Sequence, residues 1–276
     1  METPLRFTAI ILLLRPMGPW YVRPVLLALA AAALVSPRAL RMPIVWGIAT
    51  LAIAIRIVSD WPLADNHIYL LAYWTLAIAL ALRSTDWAQS LALTSRRLIG
   101  LSFVCAVLWK CVLSPDFLDG RFFRVTLLTD PRFGEATMLL TGLSTADLEH
   151  NRAALEVLPA GTELLDPPPL VEPRRLHLFA TIATWSIVVL EASVAVLMFV
   201  TTPVVLTQLR HAALLGFCAV TYAFAPVSTF GWILLTMGMA QTATSEVWVR
   251  RLYFAGLLAV LIYAEVPWAG LILGSG

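Results

Sequence analysis

Long runs of Leu, Ala, Val and Ile alternate along the chain with short clusters of Arg, Asp and Pro. Read for length and spacing, the runs predict helical spans at 43–58, 66–82, 98–113, 176–200, 208–224, 227–240 and 251–266. A further run at 24–35 is short of the about 20 residues that a full crossing needs, and reads as a weak, shallow or re-entrant segment. Residues 1–23 mix Arg6, Arg15 and Arg23 with Phe7, Leu12 and Trp20, which suits an interfacial anchor. Between 208 and 240 the apolar run is interrupted at Ala225-Pro226 and Ser228, which predicts a tight turn between two helices.

Charge sorts the connecting segments into two sets. Arg38, Arg41, Arg83, Arg96, Arg97, Arg210, Arg250 and Arg251 fall on one set, which the positive-inside rule makes cytoplasmic. Asp60, Asp65, the long segment 114–175 and the C-terminus fall on the other, exoplasmic set. Within 114–175, Ser144-Thr145-Ala146-Asp147 reads as a capping box opening a helix to about Leu158. Asp166-Pro167-Pro168-Pro169 then predicts a stiff, extended return. The segment is too small for a large core of its own and reads as a lid over the bundle. The expected fold class is therefore an all-α integral membrane protein, a polytopic bundle of about seven to eight spans with one exoplasmic lid loop. Its expected parts are an interfacial segment at 1–23, a first helical half at 24–113, the lid, and a second helical half at 176–276.

Composition strengthens this picture. The chain is 60% hydrophobic and 13% charged, against about 45–50% and about 25% for soluble domains, and its mean hydropathy is +0.84. That excess of apolar surface can be hidden only in lipid. A net charge of +2 and the lack of any basic run argue against nucleic acid. Cys105, Cys111 and Cys218 all lie in apolar runs. Cys105 and Cys111 point to different faces of one helix, so packing is expected rather than a disulfide, a CxxC pair or a metal site. The apolar run 5–14 is followed by Arg15-Pro16 with no small-residue cleavage site, so a cleaved signal is not expected. No Walker motif, GxSxG elbow, HExxH pair or Gly-rich phosphate loop occurs.

Candidate chemistry centres on Trp109-Lys110-Cys111-Val112-Leu113-Ser114-Pro115, where an apolar run meets an acidic segment. Lys110 is the only lysine of the chain; every other basic residue is arginine. Arginine stays charged, whereas a desolvated lysine can give up its proton and act as a base. The plainer alternative is that Lys110 snorkels to the interface. His67, in Asp65-Asn66-His67-Ile68-Tyr69-Leu70, opens a span from the same face at which Lys110 closes one. The two are expected at similar depth on antiparallel neighbours joined by a short loop at 83–97, which would suit an acid–base pair. Glu191 lies mid-span, where a carboxyl must be protonated or paired, and fits a proton relay as well as a structural hydrogen bond. Trp109, with Trp74, Trp185 and Phe103, is a candidate stacking wall, though core packing is the commoner use of aromatics. Arg56 and Asp60 have the spacing of an intrahelical ion pair. His177 and Glu265 are expected to be interfacial, and Arg210 and His211 to mark the cytoplasmic edge.

Asn66-His67-x-Tyr69-Leu70, Lys110, Phe117-Leu118-Asp119-Gly120 and the mid-span Glu191 together resemble the horizontally transferred transmembrane (HTTM) family. That family includes the membrane part of the vitamin K-dependent gamma-glutamyl carboxylases. The likeness covers residues 40 to 265, mostly as a pattern of spans. It implies a reduced quinone of the naphthoquinol type as cofactor, with Lys110 as the base that deprotonates it. His67 would orient or assist proton transfer, with Asn66, Tyr69, Trp109 and Glu191 around the cofactor. The implied reaction is a quinol-linked oxygenation or carboxylation in a bacterial inner membrane, with a peptide or protein as partner. Lys110 stands further from Gly120 than the carboxylase lysine does from its glycine, and the carboxylases' large extracytoplasmic domain has no counterpart. Two readings from other classes stand beside this one: a non-catalytic membrane subunit or scaffold, and a quinone-binding, DoxX-like subunit of an oxidase.

Overall fold

A computed structural model describes residues 2–15, 18–156, 166, 169–201, 204–224, 228–243 and 245–265. Among them are fourteen α-helices and no strand. The order is α1 Thr3–Leu14, α2 Arg23–Val35, α3 Pro37–Leu40, α4 Pro43–Ser59, α5 Asn66–Ala81 and α6 Trp87–Leu108. α6 is extended by a π-helical turn over Trp109–Leu113. There follow α7 Pro115–Leu118, α8 Arg121–Thr129, a 3₁₀ turn Pro131–Phe133, α9 Gly134–Thr141 and α10 Thr145–Ala154. The last four are α11 Arg174–Phe199, α12 Val204–Phe224, α13 Ser228–Ala240 and α14 Val247–Glu265. Proline stands at the first or second position of α1, α2, α3, α4 and α7. There its missing N–H costs no hydrogen bond and its fixed φ favours the helix start.

Among the described residues two helices are long and apolar enough to cross a membrane, Trp87–Leu113 and Arg174–Phe199. Several shorter ones are equally apolar, among them α1, α2, α4 and α5. α4 leaves Ile44, Ile48, Leu51, Ile55 and Val58 exposed along one stripe, and α11 does the same with Leu178, Ile182, Trp185 and Val189. Contiguous apolar faces of this kind are avoided by proteins that work in water.

The chain divides into two compact units. One takes the described residues up to Phe103 and from Ser193 onward, the other Val104–Ala192. In the first unit α4 packs closely on α5, and α1 packs on α2 and α13. Trp46, Ile53, Leu71, Trp74, Ile78 and Ile233 are fully or almost fully buried in its core. The indole N–H of Trp74 donates to Thr8 at 2.9 Å and that of Trp46 to the Leu40 carbonyl at 2.9 Å, so both of these buried indole groups have partners. α1 is thus part of the core, with Leu5, Ala9, Ile11 and Leu12 buried.

The second unit contains the segment expected as a lid. Where the sequence predicts one helix, α7, α8, α9 and α10 follow in succession. Leu127, Leu128, Leu143, Leu148 and Leu176 make a small core there, flanked by Met138 and Phe179. The predicted capping box is present. Ser144 accepts from the Asp147 N–H at 3.2 Å, and Asp147 accepts from the Ser144 N–H at 2.9 Å. Asn151, fully buried, bonds the N–H and the carbonyl of Val171 and so fastens the return segment.

One further expectation is corrected. Residues 83–97 are mostly helix, since α6 begins at Trp87. The Arg96-Arg97 pair reads as a loop marker, yet Trp87-Ala-Gln-Ser-Leu-Ala-Leu is a good helix-forming sequence and carries the helix through the charges. Arg210 and His211 are buried. The turn at Ala225-Pro226, the helix end at Leu158 and the Pro167-Pro168 step lie outside the described residues.

Candidate functional site

α6 ends because of Ser114-Pro115. Proline cannot donate to the helical ladder and drives the residue before it out of the helical region; Ser114 has φ −130° and ψ 78°. Just before this stop the helix widens into the π turn Trp109–Leu113. Such turns are uncommon, and they concentrate at functional sites because the extra residue re-aims the side chains that follow.

Within this turn Lys110 points its ammonium at Glu191 on α11. Its Nζ donates to both carboxylate oxygens, each at 2.6 Å. The Glu191 side chain is 8% exposed and that of Lys110 18% exposed. A pair this close and this buried is held by charge-assisted hydrogen bonds, which are about twice as strong as neutral ones. The amine also sits over the Phe117 ring, 5.3 Å from its centroid.

The Phe117-Leu118-Asp119-Gly120 motif serves this geometry directly. Phe117 is buried and its ring meets those of Phe122 and Phe123. Asp119 accepts from the Arg121 N–H at 2.8 Å and pairs with its guanidinium, fixing the start of α8. Gly120 has φ +81°, a left-handed conformation in which a side chain would be strained. A Cβ there would also face the Ala180–Thr181 backbone of α11 at 3.5–3.6 Å. The glycine therefore lets the α7–α8 turn lie flat on α11, and that seats Phe117 beneath the lysine.

Of the other predicted site residues, Trp109 belongs to the same π turn, and His67, Asn66 and Tyr69 belong to the first unit. Trp109 is 62% exposed and faces outward from the π turn. His67 lies in the first unit, at the start of α5, half-buried, with Nε2 3.8 Å from the Asp65 carboxylate. Asn66 beside it is exposed and Tyr69 half-buried. The Arg56–Asp60 pair forms as expected, at 2.9 Å. What sequence reasoning missed is the partnership of Lys110 with Glu191. The available signal was that each is the lone charge within its own apolar run, and opposite charges stranded in apolar surroundings seek each other.

Compared with protein-family models, with characterised proteins and with solved structures, the chain matches none.

Proposed function

We propose that this is a polytopic inner-membrane protein of HTTM type whose Lys110–Glu191 pair is a proton-transfer site for a quinol-linked oxygenation or carboxylation. The supporting observation is the ion pair itself. A primary amine, the chain's single lysine, is held against a carboxylate on an apolar helix by a π turn and a glycine turn. Transfer of one proton from Nζ to Glu191 leaves a neutral amine beside a neutral acid, and a neutral amine is the base that such chemistry needs. The surroundings fit a hydrophobic hydroquinone. The partly exposed amine is bordered by exposed Trp109, Val112 and Leu113, an apolar approach from the lipid side. A reduced naphthoquinone bound there would supply the reducing power. With the amine's first proton held by Glu191, Lys110 would accept the hydroxyl proton at Nζ, and Phe117 would keep the amine in place. His67, Asn66 and Tyr69 enter this reading through the family resemblance alone.

In this reading the apolar helices make about seven to eight spans, with residues 114–175 and the C-terminus exoplasmic. Membrane-impermeant maleimide applied to cells should label a cysteine placed at Glu149 and not one placed at Arg251. Labelling of both or of neither, before lysis, refutes the topology.

A second reading has support from the same pair. Because both carboxylate oxygens engage the amine, the pair can equally serve as a clamp between helices in a non-catalytic subunit. Lys110→Arg separates the two, since arginine keeps the ion pair but does not lose its proton. Purified in detergent and supplied with reduced naphthoquinone and oxygen, the wild-type protein is expected to consume the hydroquinone, and Lys110→Arg to lose that turnover while keeping its Tm. Turnover retained in Lys110→Arg rules out the base.

A further inference from the structure

The first unit holds a second group of buried charges, independent of Lys110. Arg210 and His211 stand side by side on α12, 7% and 3% exposed. The Tyr253 hydroxyl lies 2.8 Å from His211 Nδ1, and the Tyr253 ring occupies the space that Gly238 leaves by lacking a side chain. With that hydroxyl donating to Nδ1, the imidazole proton lies on Nε2, which is buried with no partner.

α6 meets α12. The rings of Phe103 and Phe217 meet edge to face, 4.7 Å between centroids. Arg96 precedes Phe103, and Arg210 precedes Phe217, by the same spacing of about two helical turns. Each arginine therefore shares a face with its phenylalanine and lies ~10 Å further along the axis. Parallel helices bring the two to one level, and Arg96 does bear electrostatically on Arg210. Ser95 donates to the Met237 carbonyl, which brings the end of α13 to this level as well.

The charges at this level do not balance. Among the described residues neither arginine forms an ion pair or a hydrogen bond, and the Nε of each is buried and unpartnered. One carboxylate, Glu246, acts on Arg210 from outside contact distance, and it accepts the Ala243 N–H at 2.8 Å. Arg250, the nearest basic residue of α14, is engaged with Thr242 at 3.3 Å. Two guanidinium groups that act on each other electrostatically, one buried and one half-buried, with one carboxylate outside contact distance leave a positive excess, and a buried unpaired cation is strongly destabilising. An anion would offset both the charge and the orphaned donors.

We propose that Arg96, Arg210 and the His211 Nε2–H form a binding site for a phosphate group. Guanidinium forks match phosphate oxygens two at a time, and the imidazole adds a neutral donor to a third. The group can arrive as the headgroup phosphate of an anionic lipid or as free phosphate. Arg97, midway along α6, and Arg251, in the second turn of α14, are both exposed, and exposed arginine near such a site draws anionic headgroups.

The test uses the full-length protein in an uncharged detergent, with Tm followed as inorganic phosphate or phosphatidic acid is added. Equal chloride and phosphatidylcholine are the controls. A rise in Tm is expected with at least one of the two phosphate probes; phosphatidic acid alone marks a lipid headgroup, and inorganic phosphate as well marks a site open to the free anion. Arg96→Gln, at the half-buried arginine, should weaken the effective affinity about ten- to a hundredfold. Arg210→Gln should do the same, and Arg96→Gln carries the test if Arg210→Gln does not fold. No response to either probe in the wild-type protein, or a response undiminished in the variants, overturns the site.

Discussion

Lys110 and Glu191 meet at 2.6 Å, and the contact belongs to a longer register. Ten residues on from Lys110 the Gly120 turn lies against Thr181, ten residues back from Glu191; further on still, Leu127 and Leu128 pack with Leu176. The chain from Lys110 to Leu128 thus runs antiparallel along α11 from Glu191 to Leu176. Leucine packing secures one end of this register, the glycine turn its middle, and the ion pair its other end. An amine placed this way depends on the helices that follow it in sequence, because they set where α11 presents its carboxylate.

The pair should show strong coupling. Removing one partner leaves the other as an unpaired charge in apolar surroundings, at a cost of about 3–5 kcal/mol. Lys110→Met and Glu191→Leu are each expected to lower stability by about that much, and the double variant by far less. Denaturant unfolding in detergent measures all the corners of the cycle. Additive losses would mean that the two groups do not interact in the folded protein.

Asn151 is the fastener of the return segment. Its side chain donates to the Val171 carbonyl at 3.0 Å and accepts the Val171 N–H at 2.8 Å. Beside it Glu172 contacts Arg124 at 3.3 Å and His177 at 2.9 Å. Asn151→Ala removes both bonds and leaves a backbone donor and acceptor to find water, at about 2–3 kcal/mol. Hydrogen exchange should report it locally, with protection lost first at Val171 and along α10. Unchanged exchange at Val171 would contradict the assignment.

Much of this was legible from sequence, and the failures share a physical cause. The helices α4, α5, α11 and α13 follow from apolar run length, and the α10 start follows from a capping box whose partners are three residues apart. These signals are local. The Arg96-Arg97 pair misleads because charge marks a membrane boundary but does not stop a helix; only proline, glycine or a competing cap does so. Lys110 and Glu191 sit at different distances from the ends of their predicted spans, so counting depth from those ends separates them. The count fails because the first half of α11 is not bare: the α7–α8 turn and α8 lie along it. No local pattern encodes that packing, which arises from Gly120 and a handful of leucines far apart in sequence.

Acid should loosen α10 through Asp147. The Ser144 hydroxyl first, and then its backbone N–H, hold the Asp147 carboxyl below its ordinary value. A depressed pKa means that the folded state favours the ionised form, so the cap contributes fully above the unfolded value of about 3.9. That contribution fades as pH falls through the folded value. Amide exchange along α10, compared at about pH 6 and about pH 3, should rise at the lower pH in excess of the intrinsic change. Ser144→Ala removes the hydroxyl bond, so it should raise the Asp147 pKa and shrink the acid response. An α10 that responds to acid equally in Asp147→Asn would locate the titration elsewhere.

Gly238 tests how tightly α13 and α14 are packed. A Cβ at this position would fall within the Tyr253 ring, closer than real Cβ atoms approach carbon or oxygen. Tyr253 is fully buried, so its ring has no free volume into which to retreat, and any shift strains its hydroxyl contact with His211. Gly238→Ala removes a helix-disfavouring glycine, a gain of about 1 kcal/mol at an open position. Here overpacking of about 1–3 kcal/mol opposes that gain, and a net loss of stability is expected. Tyr253→Phe isolates the hydroxyl and should cost about 1 kcal/mol by itself. Combining Gly238→Ala with Tyr253→Ala relieves the clash, so the alanine at 238 should become neutral or stabilising in that background. The comparison of Tm values across the wild type, Gly238→Ala, Tyr253→Ala and their double variant is decisive, because Gly238→Ala that stabilises the wild-type chain would mean α13 and α14 lie further apart than described.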